Sequence, residues 1–353
     1  MLHQGGDSPS TDYYVRPYLQ GLGQPVAYRN LDTVRPSLQD LAPGTGVVIV
    51  RYLNPAWARF LAAHRAQLTC VAYFMDDDLL HRQAWQGLPR PYVKKLNKYC
   101  HARASDIRAL ASHYWFSTDA LRDRYPHLSA ELMPARPLLA DLAAGSRPLQ
   151  PLLPNAPLQV FYHGTSAHQT ELAWLHPVMS QVLERCPNVH FEVIGGHDVN
   201  SRYRSLPRTR VLHPMSWANY QAHCRTLNGH IGLVPLLPSV FNTGRSYVKA
   251  YDIARCGAAG LYSAQGPYRQ VIQHGHNGLL LDNDPQAWVT ELCRLAADPA
   301  RVDNLRLTAA RLLEPLSAEP PTIHTPAGAG TTLILPDGYR PTGSSPDSTE
   351  TES

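Results

Sequence analysis

Between Leu158 and Leu295 the hydrophobic pattern changes period again and again. Leu158–Tyr162, Val189–Ile194, Thr209–Leu212, Ile231–Leu236 and Ala259–Tyr262 are short apolar runs of strand length, rich in β-branched and aromatic residues. Thr170–Cys186, Ser246–Arg255, Pro267–His274 and Asp284–Leu295 carry helical spacing. The earlier part has the same grammar: strands at Gly46–Arg51, Leu68–Phe74 and Tyr114–Ser117, and helices at Asn54–Gln67, Pro91–Leu110 and Asp119–Tyr125. Strands alternating with helices predict an α/β fold with parallel sheets, whose ligands sit at strand ends followed by Gly or Ser.

Composition sets the boundaries. Ser146–Pro157 packs prolines between two well-patterned regions, as linkers do, which predicts an N-terminal Rossmann-like domain over 12–147 and a C-terminal one over 157–316, facing across a cleft. From Ser317 to Ser353 the chain is dominated by Pro, Thr, Ser, Gly and Ala, which predicts a disordered tail over 317–353; Thr331–Leu335 is its one apolar run. The 32 Lys and Arg against 28 Asp and Glu leave an excess too small for a nucleic-acid scaffold. No window reaches 18 consecutive apolar residues, and the start carries no basic and apolar leader, so the expectation is a cytoplasmic protein without a membrane span. A pI near 8.7 leaves peripheral attachment at the inner membrane face open, although no basic amphipathic helix stands out. The cysteines show no C-x-x-C pair and no Cys/His cluster at zinc-ligand spacing, so reduced, buried thiols are expected.

Two stretches carry chemistry. Phe241–Gly257 follows an apolar strand and a proline-containing loop and turns into a helix near Ser246, whose hydroxyl suits an N-cap. Free N–H groups there, with Arg245 beside them, suit a diphosphate. Lys249 and Asp252 share a helical face; they are either a ligand-binding pair or an ordinary solvated one. In Tyr73–Leu80, the adjacent Asp76, Asp77 and Asp78 repel one another and need partners. Three roles fit: metal ligands, acceptors for a polyol, or an acidic cap on a helix. Trp85 and Tyr92 are candidate rings for stacking on a sugar.

Asn242–Asp252, Gly257–Ser263, Gly266–Arg269, Val271–Leu281 and Trp288 resemble the donor-binding half of GT-B glycosyltransferases, and are most similar to the retaining family 4 group ("glycosyl transferases group 1"). Phe161–His168 with Glu171 resembles the first strand and glycine loop of that half, and Val193–Gly196 its next strand end. The resemblance implies a nucleotide-sugar donor touching Gly164, Thr165, His168, Asn242, Gly244, Ser246 and Asp252. Asp252 stands where the family has a ribose-binding Glu. The family's other acidic residue falls on Gly244, but Asn242, Arg245, Ser246 and Lys249 fit a subset with Asn-x-x-Lys-Ser-x-x-Lys.

The usual basic residues of the first loop are missing, so phosphate charge falls to Arg245, Lys249 or a protonated His168; a surface or helix-cap role is the plain alternative for His168. Arg245, Lys249, Asp76 and Asp77 are the implied catalytic group, and Asp78 and Ser117 the acceptor side. The implied function is transfer of a sugar to an acceptor hydroxyl, in glycan or polysaccharide synthesis, on a glycan or lipid-linked acceptor and without metal or cofactor. The alternative is a catalytically impaired relative that binds a nucleotide or glycan as a scaffold. One departure is expected: the family begins with a strand and a glycine-rich loop, whereas here only Val15–Gly23 stands for the first helix, so the N-terminal domain reads as trimmed.

Overall fold

The computed structural model describes residues 1–314 except 22, 145–147 and 155, and beyond them the strands Ile323–His324 and Thr332–Leu333. The first sheet contains β1 (Leu2–His3), β2 (Arg29–Asn30), β3 (Gly46–Val50), β4 (Cys70–Met75), β5 (His113–Phe116) and β6 (Glu131–Leu132). The second contains β7 (Leu158–His163), β8 (Val189–Ile194), β9 (Thr209–Leu212), β10 (Ile231–Val234), β11 (Ala259–Ser263) and β12 (Gly278–Leu281). Each sheet is six-stranded, in the orders β2-β1-β3-β4-β5-β6 and β12-β11-β10-β7-β8-β9. Every pairing in both sheets is parallel. The two-sheet α/β architecture is the one expected.

In the first half the helices are α1 (Arg16–Gly21), preceded by a π-helical turn at Thr11–Val15, α2 (Pro55–Ala63), α3 (Arg90–Tyr99), α4 (Ala104–Leu110), α5 (Asp119–Arg124) and α6 (Leu139–Ala144). In the second they are α7 (Gln169–Arg185), α8 (His197–Tyr203), α9 (Trp217–Thr226), α10 (Val240–Thr243), α11 (Val248–Arg255), α12 (Pro285–Ala297) and α13 (Pro299–Ala310). Their starts follow ordinary capping chemistry: the side chains of Asn54, Thr118, Ser216 and Asp284 accept from backbone N–H groups in the first turns of α2, α5, α9 and α12. One apolar cluster, including Leu172, Met179, Trp288 and Leu305, fills one face of the second sheet. Another, including Ile49, Trp57, Tyr73 and Leu96, fills the outer face of the first. A third spans both sheets, joining Tyr13, Tyr14 and Phe74 to Phe161, Tyr247 and Tyr251.

The structure corrects several sequence expectations. A strand and a glycine turn do precede the first helical segment: Leu2–His3 lies between β2 and β3, followed by Gly5 and Gly6 at φ +77° and +88° and then by the helical segment from Thr11. The first sheet therefore begins before residue 12. A strand of two residues has no periodicity to detect. The helix expected over Pro91–Leu110 breaks into α3, a 3-10 turn at His101–Arg103 and α4. α3 also carries a basic face, Arg90, Lys94 and Lys98, above the buried Leu96.

The helix expected from Ser246 starts at Val248, with Tyr247 in the cap position, so Ser246 is not its N-cap. Pro267–His274 keeps only a 3-10 turn at Pro267–Gln270. The tail expected over 317–353 lies outside the described residues, apart from an antiparallel pairing of Ile323–His324 with Thr332–Leu333.

Candidate functional site

Parallel pairing sends all C-terminal strand ends of a sheet to one edge. In the second sheet the order reverses at β7, between β10 and β8, and such a switch point opens a crevice at the strand ends. His163, Gly164 and Thr165 leave β7 there, and the chain after β10 returns through α10 and α11. The first sheet switches at β1 and contributes Arg51 at the end of β3, Asp76 and Asp77 after β4 and Ser117 after β5. Arg245 and Asp77 meet across these edges, with Arg245 Nε 3.9 Å from Asp77 Oδ1.

Arg51 organises the first-domain side. Its Nη1 donates to Asp76 Oδ1 at 2.6 Å and to Ser10 Oγ at 3.0 Å, and its Nη2 to Asp77 Oδ2 at 2.8 Å and Tyr92 Oη at 2.9 Å. Ser10 Oγ in turn donates to Asp76 Oδ2 at 2.7 Å. The backbone of Arg51 is left-handed, φ +64°, which costs a non-glycine residue about 1–2 kcal/mol. That conformation turns the guanidinium onto both carboxylates. Burial raises the Asp76 carboxyl against the pull of Arg51; Asp77 is held low because Arg51 and Arg245 together outweigh its burial.

Asp78 parts from its neighbours. Its side chain is fully buried, accepting from Tyr125 Oη at 2.5 Å and pairing with Arg124 Nε at 3.0 Å. Its backbone oxygen accepts from Trp85 Nε1 at 3.0 Å. The expected acceptor role for Asp78 is therefore replaced by a packing role, and the buried Trp85 presents no face to a sugar. Asp76–Asp78 cap no helix either: the next helical turn begins at Arg82. Ser117 is buried at the end of β5.

On the opposite side, Arg245 Nη1 lies 2.6 Å from His168 Nε2, and His168 Nδ1 lies 3.7 Å from Glu171 Oε2. Burial, reinforced by Arg245, pushes the His168 imidazole down to about 4. His168 accepts from Arg245 in its neutral form, which leaves Arg245 and Lys249 as the candidates for phosphate counter-charge. Asn242 is tied inward, its Nδ2 donating to Glu171 Oε1 at 2.8 Å and Leu237 O at 2.7 Å. Lys249 Nζ donates to His163 O, and burial lowers its ammonium. Ser246 is buried, while Thr165 is exposed. A Cβ on Gly164 would come within 2.8 Å of the Tyr162 ring, so only glycine leaves this loop its path.

Asp252 is engaged. Its Oδ1 accepts from Tyr13 Oη and, at 3.0 Å, from Arg255 Nη1; Arg255 also donates to Tyr13 Oη at 2.6 Å and to Asp141 Oδ2 at 2.7 Å. This buried network fastens the Thr11–Val15 turn of the first half to α11 of the second. Gly244 lies against α5, its carbonyl accepting from Thr118 Oγ1 at 3.1 Å. Sequence reasoning missed Arg51, Ser10, Tyr13 and Arg255. Only Arg51 left a signal: a lone cation at the end of an apolar parallel strand.

Among the described residues two groups of metal-type donors lie within 4.8 Å, His163 with Cys224 and Cys256, and His163 with Glu192 and His223. In the second, Arg210 pairs with Glu192 Oε2. Asp76–Asp78 belong to neither group.

The chain has the GT-B fold. It is similar to the sucrose-phosphate synthase of Thermosynechococcus elongatus, with a TM-score of 0.52 and 15% identity over 76% of this chain and 68% of that one. It also aligns with HepE of Anabaena in complex with UDP and glucose (TM-score 0.49, 13% identity, 84% and 83% covered) and with TarM of S. aureus (TM-score 0.49, 10% identity, 70% and 48% covered). No protein-family model and no curated protein sequence matches the chain.

Proposed function

We propose that this chain is a glycosyltransferase of family 4-like type, which moves a sugar from a nucleotide-sugar to an acceptor hydroxyl with retention, in glycan or polysaccharide synthesis. The observation that carries the reading is the meeting of Arg245 with Asp77 across the two strand-end edges, with Lys249 one turn further along. The likeness to a sucrose-phosphate synthase supports the fold on which this chemistry rests.

A diphosphate entering beside α11 competes with Asp77 for Arg245. Neutral His168 holds the guanidinium in place without adding charge. Charge-assisted hydrogen bonds from Arg245 and Lys249 are worth about 1.5–3 kcal/mol each, and they strengthen as the glycosidic bond breaks and charge gathers on the leaving phosphate. Asp77, released from Arg245 but still held by Arg51, then accepts from sugar hydroxyls beside Asp76. The acceptor's proton passes to the departing phosphate oxygen, so no separate protein base is required. Gly164 and Thr165 line the phosphate path, and Ser117 lies on the acceptor side.

A second reading, a nucleotide- or glycan-binding relative without turnover, is favoured by Asp252, whose Oδ1 serves Tyr13 and Arg255 rather than standing open to a ribose. Incubation with labelled UDP-, GDP- and ADP-sugars separates the two. Release of nucleotide with sugar transferred or hydrolysed, and an unchanged anomeric configuration by NMR, supports the transferase. Nucleotide binding without turnover of any donor supports the second.

A further inference from the structure

We propose that His163, Cys224 and Cys256 form a structural site for a thiophilic divalent cation, of which zinc is the natural candidate. The three residues come from distant parts of the chain: the last residue of β7, the last turn of α9 and the position just past α11. All three are buried, and their donor atoms lie within 4.8 Å of one another. A tetrahedral ion with bonds of about 2.3 Å to sulfur and about 2.0 Å to nitrogen sets its ligands roughly 3.5–3.8 Å apart, so small side-chain rotations close the site.

The surroundings of His163 are those of a metal-binding imidazole. Its Nε2 lies 3.0 Å from Glu192 Oε1, and that carboxylate is itself held by His223 at 2.7 Å and by Arg210. A carboxylate accepting from Nε2–H fixes the tautomer and leaves the Nδ1 lone pair free, the arrangement by which carboxylates orient metal-bound histidines. Tyr220, one helical turn before Cys224, places its hydroxyl 3.4 Å from Nδ1 and completes a four-donor set. On binding, each thiol gives its proton to solvent and the cation takes two thiolates and one neutral imidazole. Two soft sulfur ligands favour zinc over magnesium or calcium.

The consequence is mechanical. His163 leads directly into Gly164 and Thr165, and its carbonyl receives Lys249 Nζ. A cation tying it to α9 and to the end of α11 fixes the floor of the proposed phosphate site without touching the donor.

The test uses the full chain, stripped of metal and titrated with Zn²⁺ or Co²⁺. The expected result is one equivalent bound, with a thiolate-to-cobalt charge-transfer band that disappears in Cys224→Ser and in Cys256→Ser but persists in Cys70→Ser. Glu192→Gln is expected to keep the band while binding about 10–100-fold more weakly. X-ray absorption on the zinc-loaded wild type covers variants that do not fold, with two sulfur neighbours and at least one nitrogen expected. No bound metal, a shell of oxygen and nitrogen only, a band that survives both substitutions, or a Cys224–Cys256 disulfide in freshly purified protein overturns the site.

Discussion

A Cβ on Gly244 would come within 2.7 Å of Leu121 Cδ2. Leu121 is fully buried in the first half of the molecule, so it has no room to swing away. The close approach leaves no room for a side chain at this position: a larger residue would separate α5 from the α10–α11 loop. Gly244→Ala is expected to destabilise the chain by about 1–3 kcal/mol through overpacking. Adding Leu121→Ala should recover part of that loss, and a double-mutant cycle by urea denaturation reads the coupling. Simple additivity of the two substitutions would show that the contact is not tight.

Arg51 sits between two carboxylates at a buried strand end, and removing it leaves Asp76 without its cation and Asp77 with only the more distant Arg245. Arg51→Met is expected to cost about 3–5 kcal/mol, the usual penalty for breaking a buried ion pair from one side. Arg51→Lys should recover only part, because a single ammonium cannot reproduce the fork that reaches Asp76, Asp77, Ser10 and Tyr92. Thermal denaturation of the pair checks this; equal stability of Arg51→Lys and wild type would refute the fork.

His168 and His230 both titrate near 4 rather than 6.5, the first through burial and Arg245, the second through burial and Arg306. The unfolded chain therefore binds more protons than the native one between pH 6.5 and 4. Their stabilising contribution is complete above pH 6.5 and is lost as the pH falls towards 4, on the order of 3 kcal/mol each. His168→Gln, which keeps an acceptor for Arg245, should flatten the fall in melting temperature across that window. An unchanged slope would mean that His168 takes up its proton over the same pH range in the native and unfolded states.

Much of the fold was legible because long βα units carry strong periodicity. β7, β8, β9 and α7 fall within a residue or two of their expected bounds, since an apolar run or a helical face of that length has few other ways to bury itself. β1, β2 and β6 are two residues each and owe their existence to neighbours in the sheet, which no local pattern records. The site was legible as residue types but not as contacts. Asp76, Asp77 and Arg245 lie at the strand-end edges and Lys249 in the first turn of α11, whereas Asp78 turns inward to Tyr125 and Arg124, and Asp252 to Tyr13. Tyr125 lies 47 positions from Asp78 and Tyr13 lies 239 from Asp252, beyond any spacing argument.

Tyr13 and Asp252 join the two halves, which makes separate predictions for the two residues. Tyr13→Phe should lower stability by about 1–3 kcal/mol, because it leaves Arg255 and Asp252 short of a buried partner, yet change nucleotide affinity by less than about threefold. Asp252→Ala should lower both if its carboxylate also meets the ribose. Calorimetry and urea denaturation on the same samples separate the two; equal losses of affinity in both variants would make Asp252 a fastening alone.

The central claim is that Arg245 and Lys249 form the phosphate site of a nucleotide donor. Calorimetric titration of UDP, GDP and ADP into wild type, Arg245→Ala and Lys249→Ala tests it most directly. The account predicts that one nucleotide binds the wild type, and that each substitution weakens it by about 10–100-fold, the equivalent of one charge-assisted hydrogen bond. Binding that is indifferent to both substitutions, or no binding of any of the three nucleotides, would contradict it.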